Sequence, residues 1–307
     1  MSYAFVFPGQ GSQSVGMLAE LAETAPVVGQ TFDQASETLG YDLWALTQEG
    51  PEARLNQTEV TQPAMLTAGV AVYRALAESA SPSPAYMAGH SLGEYTALVA
   101  SGALSLAQGV ELVETRGRLM QDAVPAGTGA MAAVLGLEDE QITALCAEAD
   151  GVLEAVNFNA PGQVVIAGEK TAVDQALPAF EAAGAKRVVP LPVSVPSHCV
   201  LMKPAAEALA EKLAGMSLQT PTVPVVHNAS VQTFADPGAI KSALVEQLYR
   251  PVQWVRTIEY LKAQGVSQLY ELGPGKVLMG LNRRIDRKMG MQAVYDSATL
   301  SKALETL

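Results

Sequence analysis

The pentapeptide Gly89-His90-Ser91-Leu92-Gly93 leaves a chain few ways to fold around it. GxSxG puts a serine on a turn so sharp that its flanking positions must be small, and such a turn forms where a strand delivers the chain into a helix. Both flanks are present. Tyr86-Met87-Ala88 is a short, largely apolar approach, and Leu92 to Ala100 is a helical run. The strand–turn–helix would lift the Ser91 hydroxyl above the sheet edge and aim the following backbone N–H groups at a developing oxyanion. An ordinary glycine turn capping a helix is the competing reading, and the two flanks weigh against it.

The surrounding pattern is α/β. Residues 3–7 read as a buried strand ended by Pro8-Gly9, followed by helical stretches near 15–48 and 62–79. From about 124 the texture changes. Strands are expected at 129–136, 152–157, 163–167 and 186–193, with helices at 138–149 and 170–183 and a turn over 158–162. That β-α-β-β-α-β order is a ferredoxin-like unit, read as a subdomain over 124–196 inserted into a catalytic domain of 1–123 and 197–307. Beyond it, helices at 203–214, 238–248 and 251–264 and strands at 223–228 and 268–272 return to the first texture, and Gly273-Pro274-Gly275 leads into a further helix.

A serine nucleophile needs a base, and the chain has three histidines. His90 abuts Ser91, so its side chain should diverge from the serine's, leaving it a structural hydrogen-bonding role. His227 lies in a strand pattern and reads as a core histidine. His198, in the segment Ser194-Val195-Pro196-Ser197-His198-Cys199, falls on a loop between the inserted unit and a helix, the usual place for a catalytic side chain. No acid stands out to complete a triad; a carbonyl or carboxamide can orient the imidazole instead. Gly9-Gln10-Gly11-Ser12-Gln13-Ser14 is not a dinucleotide fingerprint, because Ser14 stands where the third glycine belongs. Its better role is to supply the Gln10 N–H to an oxyanion hole shared with the Leu92 N–H. Likewise Gly273-Pro274-Gly275-Lys276 is no phosphate loop: Val277 follows the lysine where Ser or Thr is required.

Residues 106–122 read as a helix with Leu112, Val113, Leu119 and Met120 on one face. Arg116 falls within that apolar face, while Arg118 lies opposite with Glu111, Glu114, Gln121 and Asp122. An inward arginine is costly unless paired, so it belongs either to a buried ion pair or to a bidentate clamp for a substrate carboxylate.

Composition removes other classes. The net charge is −12, which disfavours nucleic acid and requires any acidic partner to dock on a local basic patch. The cluster Arg283, Arg284, Arg287 and Lys288 offers one, with Arg283 and Arg284 the chosen docking pair and a solvated helix face the plain alternative. Cys146 and Cys199 have no metal-ligand spacing, so no metal is expected. With no long apolar segment and no basic, apolar leader at the start, a cytoplasmic protein without membrane contact is expected.

Taken together, these segments resemble the malonyl-CoA:acyl carrier protein transacylases of bacteria and the related acyltransferase domains of fatty-acid and polyketide synthases. The markers are Phe7-Pro8-Gly9-Gln10-Gly11-Ser12-Gln13, Thr61-Gln62-Pro63-Ala64, Gly89 to Glu94, Arg116, Asn157-Phe158-Asn159, Val195-Pro196-Ser197-His198, Gln247-Leu248-Tyr249 and Gly273-Pro274-Gly275-Lys276, spread over nearly the whole chain. The resemblance implies an α/β-hydrolase-like core carrying the ferredoxin-like subdomain, with the site between them. It implies Ser91 as nucleophile, His198 as base supported by Gln247, Gln10 and Leu92 as oxyanion hole, and Arg116 as the malonyl carboxylate's partner. Gln62, Asn159 and Ser197 are carried over as substrate-binding positions. The implied reaction, in fatty-acid synthesis, moves malonyl from coenzyme A to the phosphopantetheine thiol of an acyl carrier protein. It needs no bound cofactor, coenzyme A entering only as the substrate thioester, and the expected state is a monomer. One position departs from the family pattern: Arg250 stands where asparagine is expected, close to Gln247, so local charge should change without loss of a catalytic group.

Two rivals remain at this level. A serine esterase or thioesterase could carry the same elbow, and would release free malonate without a carrier. A non-catalytic carrier-binding subunit could keep the fold, and would gain no covalent acyl mass.

Overall fold

The strands sort into two sheets, one parallel and one antiparallel. The computed structural model describes residues 2–193 and 195–307; Met1 and Ser194, the first residue of the loop segment read around His198, lie outside the described residues. The chain opens with β1 (Ser2–Phe7), α1 (Ala19–Thr24), α2 (Val27–Leu39), α3 (Leu43–Glu49), α4 (Glu52–Leu55), α5 (Thr58–Ser79), β2 (Tyr86–Gly89), α6 (Leu92–Ala100) and α7 (Leu106–Asp122). Then come β3 (Gly129–Leu135), α8 (Asp139–Ala147), β4 (Leu153–Ala160), β5 (Gln163–Glu169), α9 (Lys170–Ala182) and β6 (Arg187–Pro190). A short 3-10 turn precedes α10 (Lys203–Ala214), followed by β7 (Val225–Val226), α11 (Pro237–Gln247), α12 (Trp254–Ala263), β8 (Val266–Leu272), α13 (Val277–Ile285), β9 (Gly290–Val294) and α14 (Ser297–Leu304).

The larger sheet is parallel, in the order β7-β2-β1-β8-β9. Its central strands are apolar on both faces because helices cover both. α5 lies at the centre, buried around most of its circumference from Val60 to Val72. Pro63 is accommodated as its sixth residue, and the helix begins four residues earlier than the sequence pattern suggests. α7 is stopped at its N-terminus by a capping box of Ser105 and Gln108. It draws close to the start of α5 because Gly117 has no Cβ, which would stand 2.7 Å from the Glu59 Cα.

The smaller sheet is antiparallel, in the order β4-β5-β3-β6. Val164 and Ile166 face the core shared with α8 and α9, while Val165 and Ala167 face Cys199 on the opposite side. That second face therefore backs the loop that carries His198. β4 is also bonded to the main body, through Phe158 N–H to Val252 O at 3.0 Å and Val252 N–H to Val156 O at 2.8 Å.

Several elements differ from the sequence pattern. β4 runs on to Ala160, so the turn shrinks to Pro161-Gly162. β6 and β7 are shorter than their apolar runs, since pairing ends before the apolar residues do. β9 and α14 lie beyond the elements the sequence pattern marks: β9 is a five-residue edge strand, though Asp296 and Thr299 form a recognisable capping box before α14. No helix among the described residues is long and apolar enough to cross a membrane.

Candidate active site

Why the elbow forms is visible at its two glycines. A Cβ on Gly89 would stand 1.9 Å from the Gly93 carbonyl carbon, and one on Gly93 would stand 2.1 Å from the Phe7 carbonyl oxygen. Only glycine lets β2, α6 and the end of β1 meet so closely. The bend falls on Ser91, whose φ is +51° and ψ is −109°, a region non-glycine residues avoid. Asn228, just beyond β7, holds the strained turn from behind. Its Oδ1 accepts the Ser91 N–H at 2.7 Å, and its Nδ2 donates to Gly89 O at 2.7 Å.

Ser91 Oγ lies 2.7 Å from His198 Nε2, and His198 Nδ1 lies 2.7 Å from the backbone carbonyl oxygen of Gln247. The orienting acceptor is thus main chain; the Gln247 carboxamide is engaged elsewhere. His198 is buried, and burial first and the Arg116 charge second push its pKa down to about 3. With Nδ1–H donated to a carbonyl, Nε2 is left as the basic atom facing the serine.

Arg116 is 1% exposed and reaches the same point from α7. Its Nη2 is 3.4 Å from Ser91 Oγ and donates to Gln247 Oε1 at 3.1 Å; its Nη1 donates to Gln62 Oε1 at 2.8 Å. The guanidinium carbon is 5.2 Å from the Tyr95 ring centroid. Among the described residues no carboxylate forms an ion pair with it. Burial lowers its pKa, the direction desolvation drives a cation with no carboxylate bonded to it. Arg118, two residues on, is exposed.

These groups open into a cleft of about 140 Å³ whose lining includes Gln10, Gln62, Ser91, Leu92, Arg116, Ser197 and His198. The N–H groups of Gln10 and Leu92 make no hydrogen bond to any described residue. Ser197 Oγ is 3.5 Å from Val195 O, a weak internal contact. Asn159 sits one residue layer back from the cleft lining. It is not among the residues that line the cleft; its Oδ1 meets Nε2 of His90, which does line it, at 2.7 Å. Irregular pairing within β4 breaks the two-residue alternation, so Asn157, not Asn159, reaches the cleft wall.

Sequence reasoning missed two residues here, Glu94 and Asn228. Glu94 is fully buried on α6 and bonds His227 Nδ1 at 2.7 Å. Its spacing of three residues from Ser91, on the elbow's own helix, was the available signal. Arg250 turns outward to an exposed ion pair with Glu246 at 3.2 Å. Arg283 and Arg284 are both exposed on α13, but Arg284 is tied to Gln163 and to Pro161 O. Among the described residues no cluster of His, Cys, Asp or Glu could hold a metal ion.

A serine on a strained elbow, bonded to a neutral histidine and faced by a buried cation, is the equipment of an enzyme that captures acyl groups as serine esters. A family model described as the acyl transferase domain matches residues 4–286, and the chain belongs to that family. It is 58% identical over 305 residues to the malonyl CoA-acyl carrier protein transacylase of Escherichia coli K12, covering 99% of both chains. The solved acyl carrier protein S-malonyltransferase of Vibrio cholerae is 56% identical with a TM-score of 0.97, over 99% of this chain and 100% of that one. A malonyl-transacylase solved in complex with its type II PKS acyl-carrier protein is 55% identical with a TM-score of 0.99, over the whole of both chains.

Proposed function

We propose that this protein transfers the malonyl group from malonyl-CoA to the phosphopantetheine thiol of an acyl carrier protein, by way of a malonyl ester on Ser91, for fatty-acid synthesis. The observation that carries this is the buried Arg116, unpaired by any described carboxylate, with Nη2 3.4 Å from Ser91 Oγ. A serine hydrolase has no use for a cation at that point, whereas a malonyl tail supplies the missing carboxylate.

In the first half-reaction Ser91 Oγ attacks the thioester carbon while its proton passes to His198 Nε2. The oxyanion is received by the Gln10 and Leu92 N–H groups. The C–S bond then breaks, and the proton on His198 goes to the departing coenzyme A thiolate. In the second half-reaction the carrier's thiol gives its proton to His198 and attacks the ester, returning Ser91. Arg116 holds the malonyl carboxylate, with Gln62 and Gln247 fixing the guanidinium. Ser197 lines the same cleft. The scheme exchanges one thiol for another and calls on no metal or bound redox cofactor.

The same reading treats the five-stranded parallel layer and its helices, 1–123 and 197–307, as an α/β-hydrolase-like core, with 124–196 a ferredoxin-like subdomain. The strand order β4-β5-β3-β6 with two helices against one face supports the second assignment. It carries with it a cytoplasmic monomer whose Arg283 and Arg284 meet the acidic carrier. Intact-mass spectrometry after brief exposure to malonyl-CoA tests the reaction. The expected result is one malonyl adduct, absent in Ser91→Ala and discharged by the carrier's thiol. An unmodified mass, or rapid release of malonate without carrier, contradicts it.

A further inference from the structure

The buried carboxylate of Glu94 has no part in the steps above, yet three donors converge on it. Oε1 meets His227 Nδ1 at 2.7 Å, while Oε2 accepts the Asn228 backbone N–H and Gln247 Nε2, each at 2.9 Å. No Lys or Arg forms an ion pair with it among the described residues. Its route to a positive charge runs through one carboxamide. Gln247 donates from Nε2 to Glu94 and accepts at Oε1 from Arg116 Nη2 at 3.1 Å. The amide dipole is therefore lined up between them, its negative end on the guanidinium and its positive end on the carboxylate. A direct Arg–Glu bridge would occupy the donors that a substrate carboxylate needs. Held one carboxamide apart, the pair offsets the buried cation through a low-dielectric interior and leaves the side facing Ser91 free.

We propose that Glu94 is the remote counter-ion of Arg116, a positioning residue that sets how strongly the cleft draws an acyl carboxylate. This rests on the malonyl-transfer reading. The charge behind Gln247 repels the substrate carboxylate while Arg116 attracts it, so the tail is held less tightly than Arg116 alone would hold it. Weaker ground-state holding favours onward transfer of the ester.

Glu94→Gln removes that charge and keeps the bonds. Its carboxamide oxygen can face Asn228 and Gln247 while its NH₂ faces His227, whose ring then accepts on Nδ1 with the proton moved to Nε2. His227 Nε2 has no partner among the described residues, so the shift displaces nothing. His227 also lines a cavity of about 170 Å³.

The test is the rate of Ser91 acylation, read by intact mass against malonyl-CoA concentration, with acetyl-CoA as the carboxylate-free control. In Glu94→Gln the half-saturating malonyl-CoA concentration should fall about threefold or more, with that for acetyl-CoA within about twofold of the parent. Glu94→Asp, which keeps the charge on a shorter arm, should hold the malonyl-to-acetyl ratio within about twofold even where both rates drop. An unchanged or raised malonyl-CoA requirement in Glu94→Gln, an equal change for both thioesters, a shifted ratio in Glu94→Asp, or a Glu94→Gln protein that does not fold overturns the counter-ion role. A parent protein that takes up no malonyl group overturns the underlying reaction instead.

Discussion

The base we propose, His198, is kept neutral. Its burial, and then the neighbouring guanidinium, hold it at about 3, far below the ordinary value for histidine. The acylation rate at low malonyl-CoA should therefore stay level as pH falls through 6.5 and decline only below about 5, as a pH profile of Ser91 acylation will show. An acid limb centred near 6.5 would contradict that. Stability follows with a definite sign. Between about 6.5 and 3 the unfolded chain binds a proton at this position that the folded chain refuses, so acid favours unfolding through that window. Each pH unit removes up to about 1.4 kcal/mol through this group, measurable by denaturant titration at stepped pH. At this scale the sequence was readable where chemistry sits in a local motif or on a helical wheel, as with Ser91 and Arg116. It was unreadable where the acting group is a main-chain carbonyl, as at Gln247, since any residue type supplies one. That Asn157 rather than Asn159 lines the cleft was equally unreadable, because irregular strand pairing turns side chains in ways that composition does not record.

The elements tell a similar story one level up. The β2–α6 junction and the limits of α7 and α10 follow from apolar period, caps and glycine, and the structure has helices at 106–122 and 203–214 where the pattern places them. Short edge strands are the difficult case, because five residues such as β9 carry too little pattern to declare themselves. The elbow depends on contact between β1 and α6 that no Cβ can enter. Gly93→Ala should accordingly cost about 3 kcal/mol or more, since the clash at 2.1 Å is with backbone rather than a movable side chain. Thermal unfolding of the purified variant checks this; a melting temperature equal to the parent's would mean that the junction is looser than these contacts require.

For the molecule as a whole, the parallel sheet carries Ser91 and the antiparallel sheet backs the loop that carries His198. Two sheets from separate stretches of sequence thus meet at one cleft, and β4 is bonded to the main body beside it. That convergence follows from strand order, which local sequence does not encode. The central claim is that this one cleft both recognises a charged acyl tail and captures it. Supplying malonyl-CoA and acetyl-CoA together and reading which adduct forms on Ser91 tests it most directly. The parent should carry malonyl almost alone, and Arg116→Ala should lose that preference by about 100-fold while still accepting acetyl. An Arg116→Ala protein that keeps the parent's preference for malonyl would contradict the account.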